Sequence, residues 1–324
     1  MSSAASKNSG TNRPCQIKDQ SGRTFIVTGA NSGLGFETAR QLAVHGGRAV
    51  LATRSERKGV DAVAQLKTAP PDADVEFRAL DLADLDSVRA FSAAILSDGI
   101  AVEVLINNAG VMYPPRRLTS QGFGFQFASN HLDHFALTRM LFDTIRRGRD
   151  ARVVTVSSAE HQGGSIHFDN LTGERPYSPR AFDQQSKFAN VLLGLALDHR
   201  VRAAGIPVRS VLAHPGYSNT NLQSSGPTGL MKQLMKVSNR LITQRSEMGA
   251  LDELYAAVDP RAESAQFYGP AGFGEFRGYP AEVPPVASAK NEETARRLWG
   301  NYQRSSRASP GCLRLQPVVA PDAA

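Results

Sequence analysis

A glycine-rich turn near the start of the chain has the residue types that bind a phosphate group. It runs from Thr28 to Gly35, after the apolar run Thr24 to Val27 and before apolar residues at helical spacing. Glycine lets the backbone turn tightly and lets its N–H groups approach a pyrophosphate, and the N-terminus of a helix adds positive potential. Ordinary strand–helix turns also contain glycines, but the order strand, glycines, helix favours a dinucleotide site. The candidate cofactor-binding residues of this turn are Gly29, Asn31, Ser32, Gly33, Leu34 and Gly35.

Two positions after later apolar runs indicate which dinucleotide is bound. Arg54 follows the second run, where a carboxylate would accept hydrogen bonds from a ribose 2′-hydroxyl. An arginine suits a 2′-phosphate instead, so Arg54 predicts NADP(H), with Glu56 nearby as the opposing charge. Asp81 and Leu82 follow the third run and are candidates to border the adenine. A helix N-cap is an equally good interpretation of Asp81.

Asp183 and Lys187 are a third pair of residues whose types could take part in acid–base chemistry. Their spacing of four places both side chains on one face of a helix. A carboxyl group serves as a general acid near neutral pH only if its pKa is raised, and the charge of Lys187 is expected to lower the pKa of Asp183. The alternative is a helix ion pair worth roughly 0.2–0.5 kcal/mol.

Apolar runs alternate with helical patterns along most of the chain, which predicts an α/β fold. We expect a Rossmann-type, doubly wound parallel sheet covered on both faces, in a single domain. The predicted strands lie at about 24–27, 48–53, 75–80, 102–106, 153–156 and 208–212, and the predicted helices at about 36–43, 60–67, 88–95, 125–145 and 188–197.

Residues 217–280 interrupt this alternation, so we expect an insertion over the strand ends, where open α/β sheets bind ligands. Within it, residues 228–243 are amphipathic and methionine-containing. Methionine adapts to irregular apolar surfaces, which predicts a lid over about 217–245 and a lipophilic substrate. Alternatively, this face packs on the sheet or on another subunit of a homo-oligomer. The domain is expected to span 21–300, between flexible tails at 1–20 and 301–324.

The composition excludes several classes of protein. Of the 324 residues, 41% are hydrophobic and 21% are charged, which is typical of a globular protein. The net charge of +7 comes in large part from the two ends, so a nucleic-acid partner is not expected. No apolar run is long enough for a membrane span, and no secretory signal is visible. Cys15 and Cys312, near opposite ends of the chain, give neither a metal-site spacing nor a disulfide framework, which fits a reducing compartment such as the cytoplasm.

Further motifs follow the glycine turn at characteristic distances. They are Asn107-Asn108-Ala109-Gly110, Asn130-His131-Leu132-Asp133-His134-Phe135, Val154-Thr155-Val156-Ser157-Ser158 and His214-Pro215-Gly216, with Thr220 beyond the last. Together with TGxxxGxG they resemble the short-chain dehydrogenase/reductase family in its retinol-dehydrogenase-like branch, over about residues 22–300. Asp133 replaces a glycine of the family's NHLGHF segment.

The resemblance implies hydride transfer between NADP(H) and a carbonyl or alcohol. It implies that Asn108 lies along the adenosine, that Asn130 holds a water in a proton relay, and that Ser158 binds the substrate oxygen. It also implies that Lys187 holds the nicotinamide ribose and that Thr220 touches the carboxamide. Further expected cofactor-binding residues are Ala109, Gly110, Pro215 and Gly216. The residues themselves allow plainer interpretations. Asn130 could bond to backbone, Ser158 could cap a strand end, and Lys187 could be a surface charge.

The sequence departs from the family where the acid/base tyrosine of YxxxK is expected. Asp183 stands four residues before Lys187, and an alignment slipped by one residue would place Phe182 there instead. Either alignment removes the phenol. The candidate catalytic residues are therefore Ser158, Asp183, Lys187 and Asn130.

Three outcomes follow from the missing phenol. Another group, such as Tyr113 or Tyr217 near the nicotinamide, could serve as the acid, although both are also plausible pocket walls. The substrate could be an iminium, which needs no strong acid and whose positive charge a carboxylate stabilises; a cofactor-bound cyclisation catalyst belongs to the same possibility. Finally, the chain could bind NADP(H) without turnover.

Overall fold

The strands form one eight-stranded sheet with helices on both faces. The computed structural model describes residues 16–99, 101–216 and 246–308. The strand order is β3-β2-β1-β4-β5-β6-β7-β8; the neighbours are parallel except β8, which runs antiparallel to β7. The strands are Thr24–Thr28 (β1), Arg48–Thr53 (β2), Val75–Ala79 (β3), Val104–Asn107 (β4), Arg152–Val156 (β5), Arg209–Ala213 (β6), Phe267–Pro270 (β7) and Pro280–Glu282 (β8). The prediction of a single doubly wound α/β domain is confirmed.

The helices flank a sheet whose central strands are buried on both sides. They are Gly33–Val44 (α1), Glu56–Leu66 (α2), Leu85–Ser97 (α3), Phe125–Phe127 (α4), Asp133–Ile145 (α5), Pro179–Ala203 (α6), Ser246–Val258 (α7) and Glu292–Ala308 (α8). In β1, Phe25 and Val27 join one apolar cluster while Ile26 joins the other. This burial on both sides explains why the strands are continuous apolar runs rather than alternating ones.

The expected insertion over 217–280 is wrong for its second half. α7 packs against α1 and against β5, β6 and β7, and β7 extends the parallel sheet beyond β6. The pattern was hard to recognise because α7 buries Asp252 and Glu253 in place of apolar residues, and β7 has only four residues, two of them Gly269 and Pro270. The predicted lid, at about 217–245, lies outside the described residues.

The helix expected over 125–145 is divided. α4 is a single short turn, Ala128–Leu132 forms a π-helical turn, and α5 begins at Asp133. A π turn inserts an extra residue into a helix and is frequently found at functional sites. Here it contains Asn130, whose side chain is fully buried.

The last helix closes one face of the core through aromatic contacts. Trp299 of α8 packs edge-on against Phe135 of α5, with ring centroids 4.8 Å apart. The guanidinium of Arg200 lies 4.4 Å from the centroid of the Trp299 ring. Within the described ranges, no helix is long and apolar enough to cross a membrane.

Truncation of Phe135, one member of this aromatic pair, is expected to destabilise the protein strongly. Phe135 is 1% exposed, so Phe135→Ala leaves a cavity and should lower the free energy of unfolding by about 3–5 kcal/mol. Urea unfolding followed by circular dichroism measures the change. Phe276→Ala is the matched control, because its ring is 45% exposed and its loss should cost much less. Equal effects of the two substitutions would contradict the packing described here.

Candidate active site

The glycine turn after β1 lacks side chains where β4 approaches it. Gly29 and Gly33 have φ of 70° and 63°, a conformation that favours glycine. A Cβ at Gly35 would lie only 2.4 Å from Nδ2 of Asn108. That amide donates to the carbonyl oxygen of Thr28 at 2.7 Å. Glycine is therefore needed at position 35 because the Asn108 side chain occupies the place of a Cβ, and this close packing fixes the shape of the turn.

The N-terminus of α1 completes the turn. Ser32 is the N-cap, with extended backbone, and its hydroxyl makes no capping hydrogen bond to the described residues of α1. The residues from Asn31 to Leu34 are partly exposed. The first N–H groups of α1 and the Ser32 hydroxyl are thus accessible donors beside one another, and the helix dipole favours an anion there.

The NNAG segment is tied to β1 rather than left open. The Thr28 hydroxyl oxygen accepts from the backbone N–H groups of Asn108 and Ala109, both at 2.9 Å. The Asn108 side chain is used within the protein, so its contact with adenosine stays a prediction. Gly110 faces Asn130 and Lys187: a Cβ there would lie 3.3 Å from Oδ1 of Asn130 and 3.6 Å from Nζ of Lys187.

The basic residues expected to select the cofactor lie at the end of β2. Arg54, Arg57 and Lys58 are exposed at the start of α2, whose N-cap is Ser55. Among the described residues, none of the three pairs with Glu56 within 4.0 Å. Arg54 is therefore available for an anionic group.

The N-cap interpretation of Asp81 is wrong. α3 begins at Leu85, and its N-cap is Asp84, whose carboxylate accepts from the N–H of Asp86 at 3.1 Å. Asp81 instead stabilises the preceding turn by accepting from the N–H of Ala83 at 3.0 Å. Leu82 is buried beside it, and their contact with adenine stays a prediction.

The side chain of Asn130 is fully engaged with protein groups. Oδ1 accepts from the N–H of Val111 at 2.7 Å, and Nδ2 donates to the Val111 carbonyl and to Oγ of Ser186, both at 3.0 Å. Its backbone carbonyl accepts from Nδ2 of Asn190 at 3.1 Å. Asn130 thus fixes the segment after β4 to α6, which is its backbone-bonding interpretation; a water relay stays a prediction.

The two serines after β5 have different partners. Ser157 is buried and donates to the Lys187 carbonyl at 2.8 Å. Ser158 caps a short 3₁₀ turn, where its Oγ accepts from the N–H of Glu160 at 3.0 Å. Capping uses only the acceptor side of the hydroxyl. The partly exposed Ser158 can still donate its proton to a substrate oxygen.

Lys187 is not a surface charge. It is buried, and burial lowers the pKa of its ammonium group against the opposing effects of Asp183 and Glu253. Its Nζ makes no hydrogen bond with the described residues. A buried donor without a protein partner, beside Gly110, is suited to bind ligand hydroxyl groups.

The expected pKa of Asp183 is wrong in direction. The carboxyl group is 2% exposed, and this burial raises its pKa to about 6. Lys187 and a hydrogen bond from Gln126 oppose the shift, whereas Glu160 adds to it. No ion pair within 4.0 Å joins Asp183 to Lys187 among the described residues, so the alternative of a helix ion pair is also wrong. Desolvation dominates because it penalises the charged form more than these partners stabilise it.

The helix is regular around the two candidate positions, Phe182 and Asp183. α6 is continuous from Pro179 to Ala203, without an extra residue between positions 182 and 187. Asp183 therefore shares a face with Lys187, while Phe182 packs on Tyr177 with ring centroids 4.8 Å apart. The correspondence of Asp183 with the family's tyrosine stays a prediction.

Gln126 is a site residue that the sequence analysis missed. It is 2% exposed, and its Nε2 donates to Oδ1 of Asp183 at 3.0 Å. The one signal was a polar residue between Phe125 and Phe127, four positions before Asn130. That spacing places Gln126 and Asn130 near each other but does not reveal which side chain of α6 they meet.

The HPG segment lies at the carboxyl end of β6. His214 is fully buried, with Nε2 2.9 Å from Oε2 of Glu275, and its Nδ1 accepts from the N–H of Gly216 at 3.3 Å. Gly216 has φ of 60°, and a Cβ there would lie 2.5 Å from the carbonyl oxygen of Phe276. Pro215 lies between them. The other members of this predicted contact set, Thr220 and the candidate Tyr217, lie outside the described residues.

Tyr113, the other candidate tyrosine, follows NNAG in a left-handed backbone conformation with φ of 53°. This conformation is uncommon for a bulky residue and is found more often at functional positions. Its contact with a substrate stays a prediction.

These observations test whether a dinucleotide fits. The accessible N–H groups at the N-terminus of α1 and the unpartnered Lys187 ammonium lie along the carboxyl ends of β1 and β4 and the facing turn of α6. This is the switch point of the sheet, where β1 is flanked by β2 and β4, and open α/β sheets bind nucleotides there. The residues present fit a pyrophosphate and a ribose.

Comparison with known proteins gives consistent matches. A model of the short chain dehydrogenase family matches residues 23–229. Polyprenol dehydrogenase of Mus musculus is 37% identical over 303 residues, which cover 92% of this chain and 88% of that protein. Retinol dehydrogenase 13 of Homo sapiens is 35% identical over 303 residues, with the same two coverages.

Solved structures also resemble the chain. An uncharacterized protein from Mycobacterium paratuberculosis is 39% identical, with a TM-score of 0.74 over 90% of this chain and 96% of that one. A short-chain dehydrogenase/reductase from Burkholderia phymatum has a TM-score of 0.60 at 22% identity over 74% of this chain and 87% of that one, which is a likeness of fold.

Proposed function

Since the chain belongs to the short-chain dehydrogenase family, in its retinol-dehydrogenase-like branch, we propose that it is an NADP(H)-dependent oxidoreductase whose proton-transferring group is Asp183. It transfers a hydride to or from a lipophilic carbonyl, alcohol or imine. The observation that carries this proposal is the buried Asp183 carboxyl group, with a pKa of about 6, on the same face of α6 as Lys187. Groups with a pKa near the working pH are the most effective acids and bases.

When bound, the nicotinamide dinucleotide supplies or accepts the hydride. Asp183 accepts the hydroxyl proton of an alcohol in its charged form, which prevails above pH 6, and donates a proton to a carbonyl oxygen in its neutral form. For an iminium, the carboxylate stabilises the positive charge directly. Ser158 donates to the substrate oxygen, and the Lys187 ammonium holds ribose hydroxyl groups.

Two observations support a lipophilic substrate. The relatives with 37% and 35% identity are named for polyprenol and retinol, both long apolar alcohols. The sequence 228–243, which follows the HPG segment, combines Leu, Met and Ile with Lys and Arg at helical spacing. An apolar cover next to the HPG segment would exclude water and bind an apolar chain.

The preference for NADP(H) is expected to depend on Arg54. Arg54→Asp should raise the Kd of NADPH about 10- to 100-fold, because a charge-assisted contact to the 2′-phosphate is replaced by repulsion. The Kd of NADH should stay unchanged or fall. Fluorescence titration of the two cofactors measures both. Lys67→Asp, with the same charge change at the other end of α2, is the control. If NADH binds more tightly than NADPH to the parent protein, the assignment of Arg54 is incorrect.

A turnover screen tests the function as a whole. The parent protein is incubated with NADP⁺ and long-chain alcohols, and with NADPH and apolar ketones, aldehydes or cyclic imines, while NADPH absorbance is followed. Turnover that disappears in Asp183→Asn supports the proposal. Tight NADPH binding without turnover of any of these classes contradicts it and favours a silent NADP-binding protein. If Asp183→Tyr then acquires ketone reduction, the remainder of the site is competent and only the acid was lost.

A further inference from the structure

We propose that Gln126 and Tyr177 act together as positioning residues that fix the orientation and the charge of the Asp183 carboxylate. This inference rests on the proposed function, because it concerns the same carboxyl group. Neither residue belongs to the sequence motifs that define the site. Gln126 lies 57 residues before Asp183, and the spacing of Tyr177 from Asp183 does not predict a contact either. The three side chains meet only because α4 packs across the first turns of α6.

The contact between Gln126 and Asp183 is buried and directional. Both side chains are 2% exposed, and Nε2 of Gln126 lies 3.0 Å from Oδ1 of Asp183. Among the described residues, no other donor reaches this carboxyl group. One oxygen is therefore held, which leaves Oδ2 as the atom that exchanges a proton with a substrate. An amide N–H that donates to a carboxylate stabilises its charged form.

Tyr177 contacts the end of the Gln126 amide that faces away from Asp183. Its hydroxyl oxygen lies 3.1 Å from Oε1 of Gln126 and 2.9 Å from the carbonyl oxygen of Pro114. Burial raises the pKa of Tyr177 to about 12, so the phenol remains a donor at working pH. The phenol has one proton, which lies between the Pro114 carbonyl oxygen and Oε1 of Gln126, and in this arrangement Oε1 faces the phenol while Nε2 faces Asp183.

The aromatic neighbours hold this arrangement in place. The Tyr177 ring packs on Phe182, the residue directly before Asp183. On the other side, Phe125 lies beneath the guanidinium of Arg117, 3.3 Å from the ring centroid. The residues directly before Gln126 and directly before Asp183 are thus both engaged in ring contacts.

Few charged or titratable groups of the described segments face Asp183. They are Lys187 on its own helix, Glu160 on the 3₁₀ turn packed against that helix, and Tyr177 from the segment before it. The α4 turn contributes only the uncharged Gln126. Loss of the amide donor removes a stabilising contact to the charged form without altering any of these charges, so the midpoint of Asp183 ionisation should move upward.

The test measures the ionisation of Asp183 directly, in the full-length protein without substrate. The carboxyl ¹³C signal, assigned by its loss in Asp183→Asn, is followed as a function of pH. Gln126→Leu should raise its midpoint by about one to two pH units, as expected for a hydrogen bond to a charged group. Tyr177→Phe should raise it by less, since the amide is retained but can turn its oxygen toward the carboxylate.

Gln121→Leu is the matched control. Gln121 also donates to an aspartate, Asp84, at 2.8 Å, but lies on the loop before α4. The midpoint should not move in this variant. The pH profile of kcat, where turnover is found, should shift in parallel with the ¹³C midpoint in the other two variants, a change that a purely structural role would not produce.

The outcomes separate this inference from the proposed function. An unchanged midpoint in folded Gln126→Leu and in Tyr177→Phe overturns the positioning role, whatever the turnover. A shifted midpoint in a protein without turnover supports the positioning role and contradicts the oxidoreductase proposal. If Gln126→Leu fails to fold, as judged by circular dichroism, the milder Tyr177→Phe decides, since it removes one oxygen atom.

Discussion

Asp183→Asn is expected to lower kcat/KM about 10²- to 10⁴-fold, the usual contribution of a positioned acid or base. The amide is close in shape to the carboxyl group and keeps a partner in Gln126, so the fold and the Kd of NADPH should change little. The loss therefore reports proton transfer rather than binding. Steady-state kinetics with the best substrate of the screen, together with cofactor titration, measure the two quantities separately.

The pH profile gives this prediction a direction. With a pKa of about 6, alcohol oxidation should rise with pH through that value, because the base is the carboxylate. Carbonyl reduction should fall through the same value, because the acid is the neutral form. Asp183→Asn should remove the inflection in both directions.

The matched control for this substitution lies on the same helix. Asp198→Asn changes another buried aspartate, which pairs with Arg202, and should leave kcat/KM nearly unchanged. Activity that persists in Asp183→Asn but disappears in Tyr113→Phe or Tyr217→Phe would show that a displaced tyrosine is the acid.

Gly35→Ala is expected to weaken cofactor binding. The new Cβ would lie 2.4 Å from Nδ2 of Asn108 and 3.1 Å from the carbonyl oxygen of Gly29. To make room, the Asn108 amide must leave the Thr28 carbonyl, and the turn must open. Overpacking of about 1–3 kcal/mol corresponds to a roughly 5- to 150-fold higher Kd for NADPH.

Calorimetric titration with NADPH measures this effect without the need for a substrate. Gly300→Ala in α8 is the control, since a Cβ there has no neighbour within 4 Å and should leave the Kd unchanged. If Gly35→Ala binds NADPH as tightly as the parent, the cofactor does not depend on the glycine turn as described.

The two effects are independent because they act on different ends of the site. Gly35 shapes the backbone at the N-terminus of α1, whereas Asp183 lies on α6. The double variant Gly35→Ala/Asp183→Asn should therefore show the Kd of NADPH of the first substitution and the fold loss in kcat/KM of the second, each unchanged by the other.

The sequence by itself determined the elements and their order. Continuous apolar runs such as Arg48–Thr53 predict strands buried on both faces, and the intervening helical patterns require parallel connections, so the doubly wound sheet follows from local information. The glycine turn and the pair Asp183 and Lys187 could also be recognised from the sequence, because each consists of residues that lie close together along the chain.

Only the tertiary structure decided the burial, the hydrogen-bond partners and the pKa values of these residues. The pKa of Asp183 depends on burial and on Gln126, which is 57 residues away in sequence. α7 and β7 were not recognised because their place in the sheet depends on long-range contacts and not on local periodicity. Local spacing specifies which groups share a face, whereas desolvation and hydrogen bonding between distant segments set their charge.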